Sequence, residues 1–161
     1  STISATDVVM QLNSIFSLFD GLLVGYSLEK IKTIGDCYML VGGLPKPDKN
    51  HADSVARMAL EMLDTMEQIN TKTDQSLKVR IGINSGPVAA GVIGREKFIY
   101  DLWGDTVNVA SRMETFGSNS KIHVSSNTYL QLKDYYNFTK RDKINIPGKG
   151  TMQTYFLNSR K

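Results

Sequence analysis

Glu29-Lys30-Ile31-Lys32-Thr33-Ile34-Gly35-Asp36-Cys37-Tyr38-Met39 is the stretch whose reading decides the fold. A strand-like run ends at Ile34, Gly35-Asp36 interrupts it, and a second run follows from Cys37 to Val41. Gly-Asp between two such runs reads as a β-hairpin. The tip then carries one carboxylate, Asp36, and Lys32 stands four residues before it on the incoming strand.

Working outward, Thr6 is placed to cap a helix whose apolar residues Val8, Val9, Leu12, Ile15, Phe16, Leu18, Phe19 and Leu22 recur at helical spacing. Gly21 and Gly25 are expected to mark its end. After the hairpin, Gly42-Gly43 and residues 45–50 read as a polar loop. His51 to Asn70 is amphipathic, with Ala52, Val55, Met58, Ala59, Met62, Leu63, Met66 and Ile69 on one face. Leu77 to Asn84 alternates as a half-buried strand, with Leu77, Val79, Ile81 and Ile83 on one side. Strands at Val88 to Ile93, Phe98 to Trp103 and Ile122 to Val124 follow, with a helix from Asp105 to Glu114 and another capped by Ser125 or Ser126. Two weaker strands close the chain, around Phe138 and at Met152 to Leu157. Helices alternating with β segments and hairpins predict an α/β (α+β) sandwich with a mixed sheet.

The 161 residues amount to about one domain, 41% hydrophobic and 22% charged, as in ordinary globular proteins. A net charge of +3 argues for neither a nucleic-acid nor a membrane surface. The single cysteine, Cys37, excludes an internal disulfide and fits a reducing, cytoplasmic setting; it reads as a small buried apolar residue. No apolar run approaches the roughly 20 residues that span a bilayer. His51 and His123 are isolated and read as helix-start and strand residues rather than metal ligands.

Asp36 alone has two readings, a turn aspartate bonding its own backbone or a Mg²⁺ ligand aimed at phosphates. Asn108 and Arg112 are four apart on the expected helix and share a face, either as a solvated pair or as a phosphate-facing one. Arg80 lies on the polar side of its strand.

The hairpin segment, with Tyr100-Asp101-Leu102-Trp103-Gly104-Asp105-Thr106-Val107-Asn108-Val109-Ala110-Ser111-Arg112-Met113-Glu114, resembles class III nucleotidyl cyclases. Its frame is most like the cyclase domains attached to fungal rhodopsins. The resemblance covers nearly the whole chain. It implies a ferredoxin-like βαββαβ core with the opening strand missing, so that Ser1 to Ser4 would be the tail of a Phe-x-Asp-Ile-x-Gly-Phe-Thr segment and residues 1–161 one truncated catalytic domain.

The resemblance also implies roles. Asp36 is the second of two metal-binding aspartates for a pair of Mg²⁺ or Mn²⁺ ions. Asn108 holds the ribose and Arg112 the reacting α-phosphate, while Arg80 contacts the terminal phosphates. Lys32 and Asp101 read the base. A lysine donates to adenine N1 and a carboxylate accepts from the 6-amino group, whereas guanine mismatches both, and guanylyl members usually carry Glu and Cys there. A pocket with such groups left unpaired discriminates by roughly 10⁴-fold. ATP is therefore the expected substrate and GTP the alternative. The family's Val-Lys-Gly-Lys-Gly segment appears as Ile146-Pro147-Gly148-Lys149-Gly150, so its first lysine is replaced by Pro147 and Lys149 is the candidate substitute. Members of the family work as head-to-tail homodimers with composite sites, for which Trp103 and its apolar neighbours are interface candidates. A non-catalytic cyclase-homology domain is the third reading.

Overall fold

A computed structural model describes residues 4–161. The chain divides into two units, up to Met62 and from Leu63 onward, and the boundary falls inside one long helix. The first three residues of the expected opening segment, Ser1 to Ile3, lie outside the described residues.

In the first unit, α1 (Ala5–Leu23) is capped by Ser4, whose hydroxyl accepts from the Asp7 amide at 3.1 Å. Thr6 lies inside the helix, and so does Gly21; the helix runs on to Leu23. The expected hairpin forms from β1 (Leu28–Ile34) and β2 (Cys37–Gly42), antiparallel, with Ile34 opposite Cys37. Gly35 at φ +56° supplies the left-handed residue that a two-residue turn needs. The register slips between Lys30, opposite Leu40, and Lys32, opposite Met39. Ile31 is thus the extra residue of a bulge, which re-aims the side chains on either side of it. Cys37 is exposed, not buried, because it follows the tip directly.

The hairpin is tied to α1 by aromatic and polar contacts. The Tyr38 ring lies 5.3 Å from Phe16 and meets Phe19 edge-on at 5.7 Å, and Phe19 is the buried residue of this helix. The Tyr38 hydroxyl donates to Asp20 at 2.7 Å, and Lys30 Nζ lies 2.9 Å from the same carboxylate. The Tyr38 bond, and then Lys30, hold the Asp20 carboxyl below its ordinary range. The long helix α2 (His51–Thr73) begins close against the end of β2: a Cβ on Gly42 would meet the His51 carbonyl at 3.1 Å. Its buried residues are Ala52, Ala56, Met58, Ala59, Met62 and Met66; Ala56 joins the expected face, while Val55, Leu63 and Ile69 of that face are only partly buried.

The second unit is organised by a mixed four-stranded sheet in the order β3-β6-β10-β7. Strand β3 (Arg80–Ile83) runs parallel to β6 (Lys121–Ser125); β10 (Thr154–Arg160) is antiparallel to both β6 and β7 (Tyr136–Lys140). Between β3 and β6 the chain forms the hairpin β4 (Ala89–Ile93) and β5 (Ile99–Trp103), then α3 (Asp105–Thr115). Helix α4 (Ser126–Leu132) follows β6 and is capped by Ser125. A small hairpin, β8 (Ile144–Ile146) with β9 (Gly150–Met152), was not expected from the sequence.

Strand β3 is shorter than the alternation from Leu77 suggests. The Asn70 side chain takes both backbone groups of Leu77, donating to its carbonyl and accepting from its amide, each at 2.9 Å. The Val79 carbonyl accepts from the Ser120 amide at 2.7 Å, and the ladder with β6 runs from Arg80 onward. The sheet packs on α3 backbone to backbone: a Cβ on Gly82 would sit 2.1 Å from the Glu114 amide. Ile122 and Val124 are buried completely, as are Met113 of α3 and Ile146 of β8. The order α1-β1-β2-α2-β3 is the part of a βαββαβ core that follows its first strand. Among the described residues, no helix is long and apolar enough to cross a membrane.

Candidate active site

Helix α3 puts its chemistry and its packing on opposite faces. Val109 and Met113 are buried against Ile146, with Phe116, Ile144 and Met152 around them. Asn108 and Arg112, each one position earlier, therefore point outward together and are exposed. The first turn of the helix is pinned from the loop after β3. Asn84 Nδ2 donates to the Thr106 carbonyl at 3.0 Å, and the Thr106 hydroxyl donates to the Pro87 carbonyl at 2.6 Å. Gly86 permits this approach, since a Cβ there would lie 2.6 Å from the Thr106 hydroxyl.

The last turn is held from below by His123, which is wholly buried. Its Nδ1 lies 2.7 Å from the Met113 carbonyl, which can only accept, so Nδ1 carries the proton. Nε2 then accepts, with the Thr154 hydroxyl at 2.7 Å and Arg141 Nη1 at 3.2 Å. Burial first, and the Arg141 charge second, push the imidazole below its ordinary pKa. His123 is thus a satisfied core residue, as its isolation in the sequence suggested.

Opposite the outer face of α3 is the turn Ile146-Pro147-Gly148-Lys149. The Lys149 amide donates to the Ile146 carbonyl at 2.9 Å, and Gly148 has φ +80°. Proline at the second position and left-handed glycine at the third make this a type II turn. Helix and turn enclose a polar cavity of about 570 Å³ lined by Asp105, Asn108, Arg112, Pro147, Gly148 and Lys149, with Val109 and Ile146 at its floor. The Lys149 ammonium is bonded to the Asp105 carboxylate across this cavity.

The structure thus brings Asn108, Arg112 and Lys149 together. Arg80 does not line this cavity; it lies at the other end of α3 with Nη2 3.0 Å from Glu114 Oε2, off the hydrogen-bonding axis, so that buried oxygen has an ionic neighbour and no aligned donor. Asp101 is half-buried on β5 opposite Gly91, its Oδ1 accepting from the Leu102 amide at 2.8 Å. Lys32 and Asp36 belong to the first unit, Lys32 half-buried beside the bulge and Asp36 exposed at the tip. Asp36 is the hard oxygen ligand that Mg²⁺ takes, but it supplies one carboxylate; among the described residues no group of three or more His, Cys, Asp or Glu could hold a metal ion. Asp105 is the site residue that the sequence did not single out, since nothing links it to a lysine 44 positions away.

Residues 1–159 match the profile of the adenylate and guanylate cyclase catalytic domain. An adenylate cyclase of Mycobacterium tuberculosis is 42% identical over 161 residues, 100% of this chain and 36% of that protein. The chain thus spans about a third of that relative's length. The guanylate cyclase domain of RhGC from Catenaria anguillulae, crystallised with GTP, superposes with a TM-score of 0.93 at 38% identity, over 99% of this chain and 87% of that one. The catalytic core of a rhodopsin-guanylyl cyclase with converted specificity, in complex with ATPαS, gives 0.91 at 39% identity, over 98% and 86%. The chain belongs to the class III nucleotidyl cyclases, as a catalytic domain of the adenylate and guanylate cyclase type.

Proposed function

We propose that residues 1–161 act as one catalytic domain that converts ATP to 3′,5′-cyclic AMP and pyrophosphate. The observation that carries this reading is the cavity on the outer face of α3, where an amide, a guanidinium and an ammonium converge. In this reading the ribose 3′-hydroxyl attacks the α-phosphorus in line, its proton passes to solvent, and the bond to the bridging oxygen breaks as pyrophosphate leaves. Asn108 orients the ribose. Arg112 meets the charge growing on the α-phosphoryl oxygens, where a fixed guanidinium is most effective. Lys149, with Arg80 once it leaves Glu114, takes the terminal phosphates. Asp36 would contribute one carboxylate to Mg²⁺ or Mn²⁺. Two such ions, when bound, would acidify the 3′-hydroxyl and offset the polyphosphate charge.

Lys32 and Asp101 match the donor and acceptor of adenine, which supports ATP; GTP is the second reading, favoured by the likeness to a guanylate cyclase domain bound to GTP. Measuring cyclic nucleotide from each triphosphate separately tests the choice. Faster product from ATP is expected, and product from GTP alone would reverse it. Lys32→Glu with Asp101→Cys should move the ATP:GTP ratio of kcat/KM by roughly 10²- to 10⁴-fold, since each mispaired buried polar group costs about 1–3 kcal/mol. An unchanged ratio would remove these two residues from base recognition.

The working unit in this reading is a head-to-tail homodimer, with Asp36 from one subunit and Asn108, Arg112 and the base readers from the other. The β4–β5 hairpin supports an interface, because Val92, Ile93, Phe98, Ile99 and Trp103 leave 39–73% of their surface exposed. The domain works in the cytoplasm, without nucleic acid and without touching the membrane itself. A domain that only dimerises is the remaining alternative, and the absence of any cyclic product would favour it.

A further inference from the structure

The departure at Pro147 exchanges a charge for a rigid turn. Proline fixes the second position of the type II turn, and Ile146 before it is wholly buried against Val109 and Met113 of α3. The backbone of Lys149 is thereby held at a set place beside the helix. Its four-carbon side chain remains the adjustable part, and its ammonium rests on Asp105, in the first turn of the helix that carries Asn108 and Arg112. All four side chains open on one cavity. The pair is not shielded: the Lys149 and Asp105 side chains keep 37% and 63% of their surface exposed. An exposed single-charge pair is weak. A phosphate group offers the same ammonium more charge and several oxygens, in reach of Arg112 as well.

We infer that Asp105 is a positioning residue that competes with polyphosphate for Lys149: its carboxylate keeps the ammonium at the cavity, yields it to the terminal phosphates of a nucleoside triphosphate, and takes it back as pyrophosphate departs. This rests on the reading that the α3 cavity takes polyphosphate. It assigns Asp105 to affinity and product release rather than to the chemical step. Asp105 limits how tightly pyrophosphate is held, so the charge that weakens the site also clears it.

The test is calorimetric titration with inorganic pyrophosphate in metal-chelated buffer, on the whole chain, for wild type, Asp105→Asn, Lys149→Ala and the double variant. Asp105→Asn should tighten pyrophosphate binding about two- to fivefold, the range expected for an exposed ion pair. Lys149→Ala should weaken it, and Asp105→Asn should change nothing further on that background. Asp105→Ala should act in the same direction, which guards against a fault peculiar to the asparagine. In turnover, Asp105→Asn should lower KM for the triphosphate, leave kcat no higher, and make pyrophosphate a stronger product inhibitor. Unchanged or weaker binding in Asp105→Asn overturns the inference, as does an equal gain in the absence of Lys149, or no pyrophosphate binding by the wild type. If the binding cycle behaves as expected while no cyclic nucleotide forms, the cyclase reading fails and the competition stands. If cyclic nucleotide forms and the cycle is flat, the competition alone fails.

Discussion

The outer face of α3 and the tip of the β1–β2 hairpin both carry charged residues singled out by sequence, yet they are built in opposite ways. Helix α3 is fixed at both ends, by Asn84 and Thr106 at the first turn and by His123 at the last, and its floor is a closed apolar cluster. Its functional side chains have an acidic neighbour, a facing turn and a cavity within one unit. The hairpin is tied to α1 along one side, through Tyr38 and Lys30 to Asp20 and through the Tyr38 ring to Phe16 and Phe19, and ends in an exposed two-residue turn with a single carboxylate. In the proposed reaction one region would supply most of a half-site, and the other a projecting carboxylate that needs further groups to work on. The division of labour between copies of the chain proposed above would account for that asymmetry.

The largest effect should come from breaking both halves separately and then mixing them. Arg112→Ala and Asp36→Asn should each lower kcat by roughly 10²- to 10³-fold, the usual consequence of removing one preorganised group from the charge that develops in the transition state. Equal mixing of the two inactive proteins should restore about a quarter of wild-type activity. Half the dimers would then be mixed, and each would retain one of its two sites intact. Activity of the mixture no greater than that of the separate variants would mean that the two regions serve the same site within one chain, or different purposes altogether.

A milder pair of substitutions tests rigidity. Ile146→Val removes one methylene from the buried cluster beneath α3 and should cost about 0.5–1.5 kcal/mol in denaturant unfolding. The same change at Ile34, 63% exposed next to the hairpin tip, should stay within about 0.5 kcal/mol. Ile146→Val should also loosen the turn that aims Lys149, raising KM for the triphosphate more than it lowers kcat. Equal stability losses at the two positions would contradict the contrast between a packed helix face and an open tip.

Much of this was legible in the sequence where local rules act alone. The Gly35-Asp36 turn, the apolar face of α2 and the Asn108–Arg112 spacing all depend on neighbours within a few residues. Errors arose where a distant group or a choice between near-equals intervened. Ser4 and Thr6 can both cap a helix, and only the Asp7 amide distinguishes them. The bulge at Ile31 is a property of pairing with β2, not of the residues themselves. Leu77, at the head of the expected strand, has its backbone groups taken by the Asn70 side chain instead of a strand neighbour. The hairpin of β8 and β9 has strands of three residues, too short to show a period. The Asp105–Lys149 pair depends on tertiary placement alone.

The smallest and most gradual effect concerns His123, and it bears on the end of α3 rather than on the chemistry. The folded protein keeps this imidazole neutral, with its pKa depressed below the ordinary 6.5 by burial and by Arg141. The facing groups are the Thr154 hydroxyl and the Arg141 guanidinium toward Nε2 and the Met113 carbonyl toward Nδ1. Above pH 6.5 neither the folded nor the unfolded state binds the extra proton, and stability is whole. As pH falls through 6.5 the unfolded chain takes up the proton first, so stability declines, and the decline from this group levels off once the folded state protonates too. Thermal unfolding followed from pH 7.5 downward should therefore show a loss beginning near pH 6.5 that is shallower in His123→Gln, a variant that is less stable at neutral pH because an amide cannot reproduce both ring contacts. If the variant and wild type decline in parallel, His123 does not carry the acid sensitivity. The carboxylates, Asp20 among them, would then account for it at lower pH, where the hairpin anchor rather than the α3 floor is the part that gives way.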